Sequence, residues 1–431
     1  MKDVNVFLEE HGIRPEDISM HNLVEVFNSE MVKGLGGEES SLRMIPTYIE
    51  ANNEFLTEKP VLAIDAGGTN FRAAMVTFRK NGTLEISNQV NALMPGLEGE
   101  ISKEEFFNVI ADYIKPLAFT SDRIGFCFSY PTEILPDRDG RLLQFCKEVQ
   151  APGVVGQLVG RSLIDALGMP DKQVVLLNDT VATLLAGKSH SIGNDYDSYI
   201  GYILGTGTNT CYIEMNNNIH KKPGLNKNGS QIINIESGNF GKAPRSDLDM
   251  LFDNSTVNPG NYTFEKMISG GYIGKLCLFI LKSASQEGVF SVHSDDNILS
   301  LNQLNSEDLN NFLVNTEEYR GPLEKCISTD EDEVKFRKII ECIIERAAKL
   351  VASNLVSVVL KTNRGKSPEN PILITIEGTT FYKLHNLQPL FEHYFSGYLI
   401  DDRRRFCEFA EVPHSSLTGA ALAALIRYSN K

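Results

Sequence analysis

The chain has 431 residues, enough for two or three domains with sizeable cores, and its hydrophobic content of 42% is that of an ordinary globular protein. A formal net charge of −15 argues against nucleic acid or an anionic membrane as a partner. Seven cysteines without CxxC spacing indicate reduced thiols. Because the amino terminus lacks a basic, apolar signal and no segment is apolar enough to cross a bilayer, we expect a soluble cytoplasmic protein.

The amino-terminal residues 1–56 are predicted to be helical, because apolar residues recur there at helical spacing. A domain then starts at about Lys59-Pro60. Five further elements follow in chain order: strands at 84–90, 123–128 and 173–177, a helix that a capping box at Ser102 and Glu105 opens, and a helix at 157–167.

Residues 61–78 form the first motif, two apolar runs joined by a glycine turn. Gly67 and Gly68 can adopt positive φ and bring backbone N–H groups close to a ligand, and Thr69 adds a hydroxyl. Such a turn is suited to hold a phosphate chain, and Asp65 at the strand end could hold a hydrated Mg²⁺. The alternative is an ordinary hairpin in which Asp65 only forms the turn.

Asp179 follows a predicted buried strand and precedes a predicted helix at 180–186, a position where ligands meet α/β sheets. It could cap the helix, or it could accept a proton from a substrate hydroxyl with Asn178 beside it. The nearby ATLLAGKS at 182–189 is similar to a P-loop. We reject that interpretation because Gly187 and Lys188 come at the end of the helical run rather than at its start.

A second glycine and threonine turn, 205–208, lies between predicted strands at 199–204 and 210–215 and repeats the first motif. Two such turns in separate halves suggest a nucleotide held between two domains; the alternative is a pair of hairpins. Glu236 and Glu265 lie in or near apolar segments. They are either exposed surface acids or acceptors for sugar hydroxyls.

The remainder is predicted to be mostly helical, with long helices at 264–283 and 332–361 and a polar connection at 302–318. A late strand at 371–376 and a final helix at 417–428 complete the chain. Strands that alternate with helices indicate an α/β protein.

Seven motifs, taken in chain order, resemble those of the hexokinase family of sugar kinases, within the actin-like ATPase superfamily. The similarity runs from about Pro60 to the carboxyl terminus. The motifs are LAIDAGGTNFR (62–72), FSYP (128–131), LLNDTVATL (176–184), LGTGTNTCYIE (204–214), NIESGNFG (234–241), FEKMISGGYIG (264–274) and EGTTFYKLH (377–385).

The resemblance implies a two-lobed actin-like ATPase (ribonuclease H-like) fold with a sugar and ATP cleft between the lobes. We expect an amino-terminal helical segment at 1–57 packed on the large lobe, a small lobe at 58–178 plus 417–431, and a large lobe at 179–416. The implied activity is ATP-dependent phosphorylation of a hexose at its 6-hydroxyl, with Mg²⁺ as cofactor and a monomer or homodimer as the working unit.

The resemblance also implies the site residues. The catalytic groups would be Asp179 as general base and Lys147. The sugar would be bound by Ser129, Cys146, Lys147, Asn178, Asp179, Asn209, Glu236 and Glu265. The nucleotide would be bound by Asp65 (through Mg²⁺ and water), Gly67, Gly68, Thr69, Asn70, Arg72, Gly205, Thr206, Gly207, Thr208, Gly378, Thr379, Thr380 and Ser416.

The sequence departs from the family pattern at several positions. Cys146 stands where the family has Thr, and Lys242 where it has Asp. Ser237 and Asn239 replace Trp and Ala, and Leu417 replaces a Gly in the last glycine-rich turn. These changes concern sugar preference and adenosine contacts. Two other activities stay open, a catalytically inactive sugar sensor and an actin-like ATPase without a sugar substrate.

Overall fold

The computed structural model describes residues 1–145, 149–191, 194–314, 321–401 and 403–428. The strands are β1 (Ile45–Pro46), β2 (Val61–Gly67), β3 (Asn70–Phe78), β4 (Leu84–Leu93), β5 (Arg123–Phe128), β6 (Thr132–Ile134), β7 (Gly140–Leu142), β8 (Gln173–Leu177), β9 (Ser198–Leu204), β10 (Thr208–Met215), β11 (Ser230–Asn234), β12 (Ile372–Glu377) and β13 (Cys407–Ala410).

The helices are α1 (Val4–Glu10), α2 (Met20–Gly36), α3 (Lys103–Ala118), α4 (Val159–Leu167), α5 (Asp179–His190), α6 (Asp247–Asn254), α7 (Thr263–Ile268), α8 (Ile273–Gln286), α9 (Val292–Ser300), α10 (Ser306–Val314), α11 (Asp330–Thr362), α12 (Thr379–Lys383), α13 (Leu387–Ser396) and α14 (Ser415–Leu425). Short 3₁₀ turns occur at Pro15–Asp17, Pro152–Val154, Asn216–Asn218, Ser237–Asn239 and Glu324–Cys326, and a π-helical turn at Gly397–Asp401.

Two sheets are built on one plan. The first has the strand order β4-β3-β2-β5-β8, and the second has the order β1-β11-β10-β9-β12-β13. In the first sheet, β2 pairs antiparallel with β3 and parallel with β5. In the second, β9 pairs in the same way with β10 and β12. The repeated strand–turn–strand pattern of the sequence is therefore one part of a repeated sheet, and the α/β prediction is confirmed.

Helices α5 and α14 lie between the two sheets and contact each other. Helix α14 packs on β2, β5 and β8, whereas α5 packs on β9 and β12. The approach requires glycine: a Cβ at Gly419 would lie 2.0 Å from the Ala182 carbonyl oxygen, and one at Gly125 would lie 1.8 Å from the Ala420 carbonyl oxygen. The small residues of the final helix therefore allow the two halves to pack closely.

The prediction of one helix at 264–283 is wrong, because the structure has α7 and α8 separated by a break at 269–272. In the break, the N–H groups of Gly270 and Gly271 donate to the carbonyl oxygens of Gly205 and Thr206 at 2.8 and 3.0 Å. A Cβ at Gly271 would lie 2.7 Å from the Thr206 carbonyl oxygen. The helix ends there because its backbone pairs with the second turn.

Other predicted boundaries also change. The amino-terminal segment is helical only to Gly36, and it then continues to β1, which pairs with β11 at the edge of the second sheet. The polar connection at 302–318 contains α10, and the final helix begins two residues earlier than predicted. Ser102 accepts a hydrogen bond from the Glu105 N–H, so it caps α3.

The rejection of the P-loop is confirmed, since Lys188 lies in the last turn of α5. Gly187 does not follow the helix but lies inside it, where a Cβ would be 1.8 Å from the Thr375 hydroxyl oxygen. The packing of α5 on β12 explains this glycine, which is not a helix-terminating residue.

The amino-terminal helices α1 and α2 contact α11. The six cysteines in the described part of the chain are free thiols. Within the same residues, no helix combines the length and the apolar character that a membrane span requires. The proposed domain boundaries stay a prediction.

Candidate active site

A cavity of about 710 Å³ is lined by residues from both sheets. Six of the predicted sugar-binding residues line it, and so do three residues of the second turn. They are Ser129, Asn178, Asp179, Asn209, Glu236, Glu265, Thr206, Gly207 and Thr208. The structure therefore brings together residues that are as far apart in sequence as 129 and 265.

Asp179 is the first residue of α5, and its side chain is half-buried at the cavity. Asn178 is the N-cap, and its Oδ1 accepts a hydrogen bond from the Thr180 N–H at 2.9 Å. The Asp179 Oδ1 accepts from the same N–H at 2.8 Å, whereas its Oδ2 accepts no hydrogen bond from the described residues. The alternative that Asp179 caps the helix is therefore wrong, because Asn178 is the N-cap of α5. One Asp179 oxygen accepts a hydrogen bond within the first turn, and the other accepts none from the described residues.

Glu236 is held by asparagine side chains. Asn234 donates from Nδ2 to Glu236 Oε1 at 2.8 Å, and Asn209 donates to the Asn234 Oδ1 at 2.7 Å. Burial raises the pKa of Glu236 above its usual range, against the opposing effects of the Asn234 hydrogen bond and the positive charge of Arg43, while the charge of Asp179 raises it further. Its backbone φ of 60° is unusual for a residue with a side chain.

Glu265 lies in α7 and connects that helix to the second turn. Its Oε2 accepts a hydrogen bond from the Thr208 N–H at 2.9 Å. A Cβ at Gly207 would lie 2.7 Å from this oxygen, and one at Gly238 would lie 3.1 Å from it. The two glycines therefore leave room for the carboxylate, and Glu265 faces the cavity and is not a surface acid.

The first turn packs against Ser129 and Tyr130. A Cβ at Gly67 would lie 3.0 Å from the Ser129 hydroxyl oxygen, and the Tyr130 hydroxyl donates to the Gly68 carbonyl oxygen at 2.8 Å. Gly68 has a φ of 64°, as the predicted turn requires. Thr69 follows in the turn, and Asn70 begins β3.

Asp65 is buried, and its Oδ2 accepts a hydrogen bond from the Arg72 Nε at 3.0 Å. Burial raises the pKa of Asp65 above its usual range; Arg72 opposes this effect, and the charges of Asp179 and Glu377 add to it. Asp65 is therefore close enough to two other carboxylates, Asp179 and Glu377, to be repelled by their charges. This donor set fits a hydrated Mg²⁺, which prefers oxygen ligands and would relieve the repulsion.

Of the remaining predicted nucleotide residues, Gly378 and Thr380 lie beside the second turn. The Gly205 carbonyl oxygen accepts a hydrogen bond from the Thr380 hydroxyl at 2.9 Å, and the Gly205 N–H donates to the Gly207 carbonyl oxygen. Gly378 has a φ of 120°, and Thr379 begins α12. Ser416 is buried in the first turn of α14.

Sequence reasoning missed several residues at the site. Glu377 accepts hydrogen bonds from the hydroxyls of Thr183 and Ser415, which connects β12 to α5 and α14. The cavity is also lined by Arg43, Gln144, Asn234, Asn258, Tyr262, Tyr272 and Lys275. Asn234 and Glu377 are each the first residue of a motif that the sequence singled out, NIESGNFG and EGTTFYKLH. This position could have indicated both residues.

Cys146 and Lys147 lie outside the described residues. The residues just before them, Gln144 and Phe145, line the cavity, and the Phe145 ring contacts the Tyr130 ring at a centroid distance of 5.1 Å. The segment therefore reaches the cavity wall immediately before these two positions.

Comparisons with known proteins give a consistent result. Two family models, both described as Hexokinase, match residues 6–189 and 199–426. Hexokinase-3 of Rattus norvegicus is 32% identical over 403 residues, which are 87% of this chain and 42% of that protein. The chain thus spans less than half the length of this relative. Hexokinase-1 of Schizosaccharomyces pombe is 31% identical over 415 residues, which are 89% of this chain and 82% of that protein.

Among solved structures, the hexokinase of Schistosoma mansoni in complex with glucose is similar with a TM-score of 0.78 at 23% identity. The similarity covers 98% of this chain and 100% of that one. A second hexokinase structure has the same TM-score at 22% identity. These similarities show the two-lobed actin-like fold of sugar kinases. The sequence matches show more, and the chain belongs to the hexokinase family.

Proposed function

We propose that this protein transfers the γ-phosphoryl group of ATP to the 6-hydroxyl of a hexose, giving hexose 6-phosphate and ADP. Glucose is the first candidate substrate, followed by mannose and fructose. One observation carries the proposal: Asp179, one of whose carboxylate oxygens accepts no hydrogen bond from the described residues, lines a cavity that Glu236, Glu265 and the second turn also line.

In the proposed reaction, Asp179 accepts the proton of the 6-hydroxyl as the oxygen attacks the γ-phosphorus. The bond from the γ-phosphorus to the bridging oxygen breaks, and ADP leaves with that oxygen. General bases of this kind act within hydrogen-bonding distance of the hydroxyl. Asp179 can stay fixed during the step because its other oxygen is held by the Thr180 N–H.

The other sugar hydroxyls would bind to Ser129, Asn178, Asn209, Glu236 and Glu265. Carboxylates are acceptors only, so each glutamate selects a donor hydroxyl. The asparagine contacts to Glu236 and the Thr208 contact to Glu265 fix both carboxylates before the sugar arrives. Such preorganisation supports alignment, on which phosphoryl transfer largely depends.

The two glycine turns would hold the phosphates of ATP, and Mg²⁺, when bound near Asp65, supplies positive charge that neutralises them. Lys147 would supply further positive charge to the transferred group. Closure of the lobes over the sugar would exclude water, which is a competing nucleophile. Gly378, Thr379, Thr380 and Ser416 would contact the adenosine, since they surround the second turn or begin the final helix.

The test is an assay of ADP release with ATP, Mg²⁺ and a panel of hexoses. Asp179→Asn keeps the acceptor for the Thr180 N–H but removes the base, so we expect turnover to fall by at least about 10³-fold, although sugar binding persists. Asp179→Ala should do the same. Asp171→Asn, at an exposed position in the same half, is the matched control and should leave turnover unchanged.

Near-normal turnover of Asp179→Asn would overturn the proposal. Binding of a hexose to the wild-type protein without ADP release would instead support a sugar sensor. ATP hydrolysis that no hexose stimulates would support an actin-like ATPase.

A further inference from the structure

We propose a separate binding site for a phosphate monoester in a second cavity of about 390 Å³. It lies against the first sheet and shares no lining residue with the candidate active site. Its polar walls come from Arg123, Arg138 and Arg161, and Tyr428 closes one side. A volume of this size falls in the lower part of the range of about 300–1,000 Å³ that is usual for small-molecule pockets.

The lining charge is positive although the whole protein is strongly acidic. Three arginines face two aspartates, Asp137 and Asp139. The Asp139 carboxylate is already engaged, because it accepts hydrogen bonds from the backbone N–H groups of Gly140, Gly160 and Arg161 at 2.6, 2.7 and 2.8 Å. It therefore caps α4 and does not neutralise the arginine side chains by direct pairing.

Arg138 is the central group. Its guanidinium stacks on the Tyr428 ring at 3.7 Å from the ring centroid, and its buried Nε has no hydrogen-bond partner. Among the described residues it makes no ion pair. The terminal Nη1 and Nη2 groups of Arg138 donate to no described residue and are not buried, so an anion in the cavity can pair with them.

The backbone holds Arg138 in place. Its φ is 70°, an uncommon conformation for a residue with a side chain. The Arg138 N–H donates to the Leu135 carbonyl oxygen at 2.8 Å, and the Arg138 carbonyl oxygen accepts from the Leu176 N–H at 2.9 Å. These bonds maintain the strained residue, and strain of this kind is frequent at binding sites.

The other two arginines keep free donors. Arg123 donates from Nη1 to the Ala424 carbonyl oxygen at 2.8 Å, which leaves its other guanidinium N–H groups available. Arg161 pairs with Asp165, but the two side chains are 63% and 59% exposed, so this pair contributes little. A ligand anion could therefore replace Asp165 as the partner of Arg161 with little loss of free energy.

The chemistry of the lining specifies the ligand class. Guanidinium groups match the oxygens of phosphate with paired hydrogen bonds. The Tyr428 ring, Ile164, Val174 and Val175 add an apolar surface next to the arginines. An anion that carries a compact apolar body, such as a phosphate monoester, would use both.

The experiment is a calorimetric titration of the full chain with phenyl phosphate, with inorganic phosphate and succinate as comparisons. We expect phenyl phosphate to bind more tightly than either and its affinity to fall as salt increases. Arg138→Gln should weaken binding at least tenfold. Arg161→Gln, at an exposed position that is not expected to affect folding, should weaken it several-fold.

Arg141→Gln is the matched control, because Arg141 is an exposed arginine of the neighbouring strand β7 that lines neither cavity. Equal weakening by the control, unchanged binding in both cavity variants, absence of binding, or tighter binding of succinate would each overturn the proposal. Thr206→Ala should leave this binding unchanged, so the result does not depend on the proposed kinase activity.

Discussion

Five strands of the second sheet repeat the order of the five-stranded first sheet, but the glycine turns of the two sheets are chemically different. In the first sheet the strand before the turn carries Asp65, which is buried and paired with Arg72. In the second sheet the corresponding strand end carries Leu204, and the turn is instead fixed from outside, by Glu265 and Thr380. A repeated backbone plan would thus support two proposed uses: one half would place a carboxylate beside the phosphates, and the other would offer N–H groups and hydroxyls.

The halves also differ in what is added to them. The second sheet receives β1 from the amino-terminal segment, and the same half supplies Glu236, which follows β11, and Glu265, which lies in α7, to the larger cavity. The first sheet carries the arginine-lined cavity on another side. The two halves therefore share a duplicated core and differ in the segments added around it, although Asp65 itself belongs to the core strand β2.

The largest expected effect concerns the acid that only the first turn has. Asp65→Ala should lower kcat/KM for ATP by about 10³-fold, because it removes a charge that would position Mg²⁺. Thr206→Ala in the second turn should cost only about tenfold, since the backbone N–H groups remain. The measurement is steady-state ADP release at varied ATP concentration. Equal losses would mean that the two turns are functionally equivalent.

The next largest expected effect is on stability, and it concerns the glycine in each sheet that allows a helix to pack closely. A Cβ at Gly125 would lie 1.8 Å from the Ala420 carbonyl oxygen, and one at Gly201 would lie 2.5 Å from the Thr180 carbonyl oxygen. Gly125→Ala should therefore reduce the free energy of unfolding by about 3 kcal/mol, and Gly201→Ala by somewhat less. Urea denaturation measures both. Gly99→Ala, with open space around it, is the control and should be nearly neutral.

A smaller expected effect is on the KM for the hexose. It should differ between the two turns because each turn contacts a different proposed sugar-binding residue. Gly207→Ala would displace the flexible Glu265 carboxylate, which lies 2.7 Å from the added Cβ, so the KM for the hexose should rise about fivefold to tenfold. Gly67→Ala, whose Cβ would be 3.0 Å from the Ser129 hydroxyl oxygen, should raise it less. A larger effect of Gly67→Ala on sugar KM would reverse this ranking.

The smallest expected effect is on the free energy of unfolding and its dependence on pH. Burial raises the pKa of Glu236 in the second half and of Asp65 in the first. The folded protein therefore binds these protons more tightly than the unfolded chain does, and stability falls as pH rises from about 4 through the folded-state pKa values. Glu236→Gln and Asp65→Asn should each raise the free energy of unfolding at pH 7 by at most about 1 kcal/mol.

Thermal unfolding without ligands at pH 7 and below pH 4 tests this prediction. The gain should vanish below about pH 4, where the carboxyl groups are protonated in both states. A loss of stability at pH 7 would show that the hydrogen bonds to the charged forms outweigh their burial.

Sequence alone determined the parts of this protein that are encoded locally. The turn after Asp65 could be predicted because two apolar runs flank glycines, and the position of Asp179 because it follows a buried strand. The order of the motifs indicated the family, and the sequence comparisons confirmed it. For Asp179 and the two glutamates, the sequence left a structural and a functional interpretation open, because short motifs do not state which side chains share a cavity.

Only the tertiary structure decided where distant segments meet. The helical period continues through Gly270 and Gly271, yet the helix breaks there because the backbone pairs with the second turn. Arg138 and Tyr428 are 290 positions apart and form a stack that no local pattern predicts. Local propensity reflects neighbours along the chain, whereas these features depend on hydrogen bonds and packing between elements that approach only when both halves have folded.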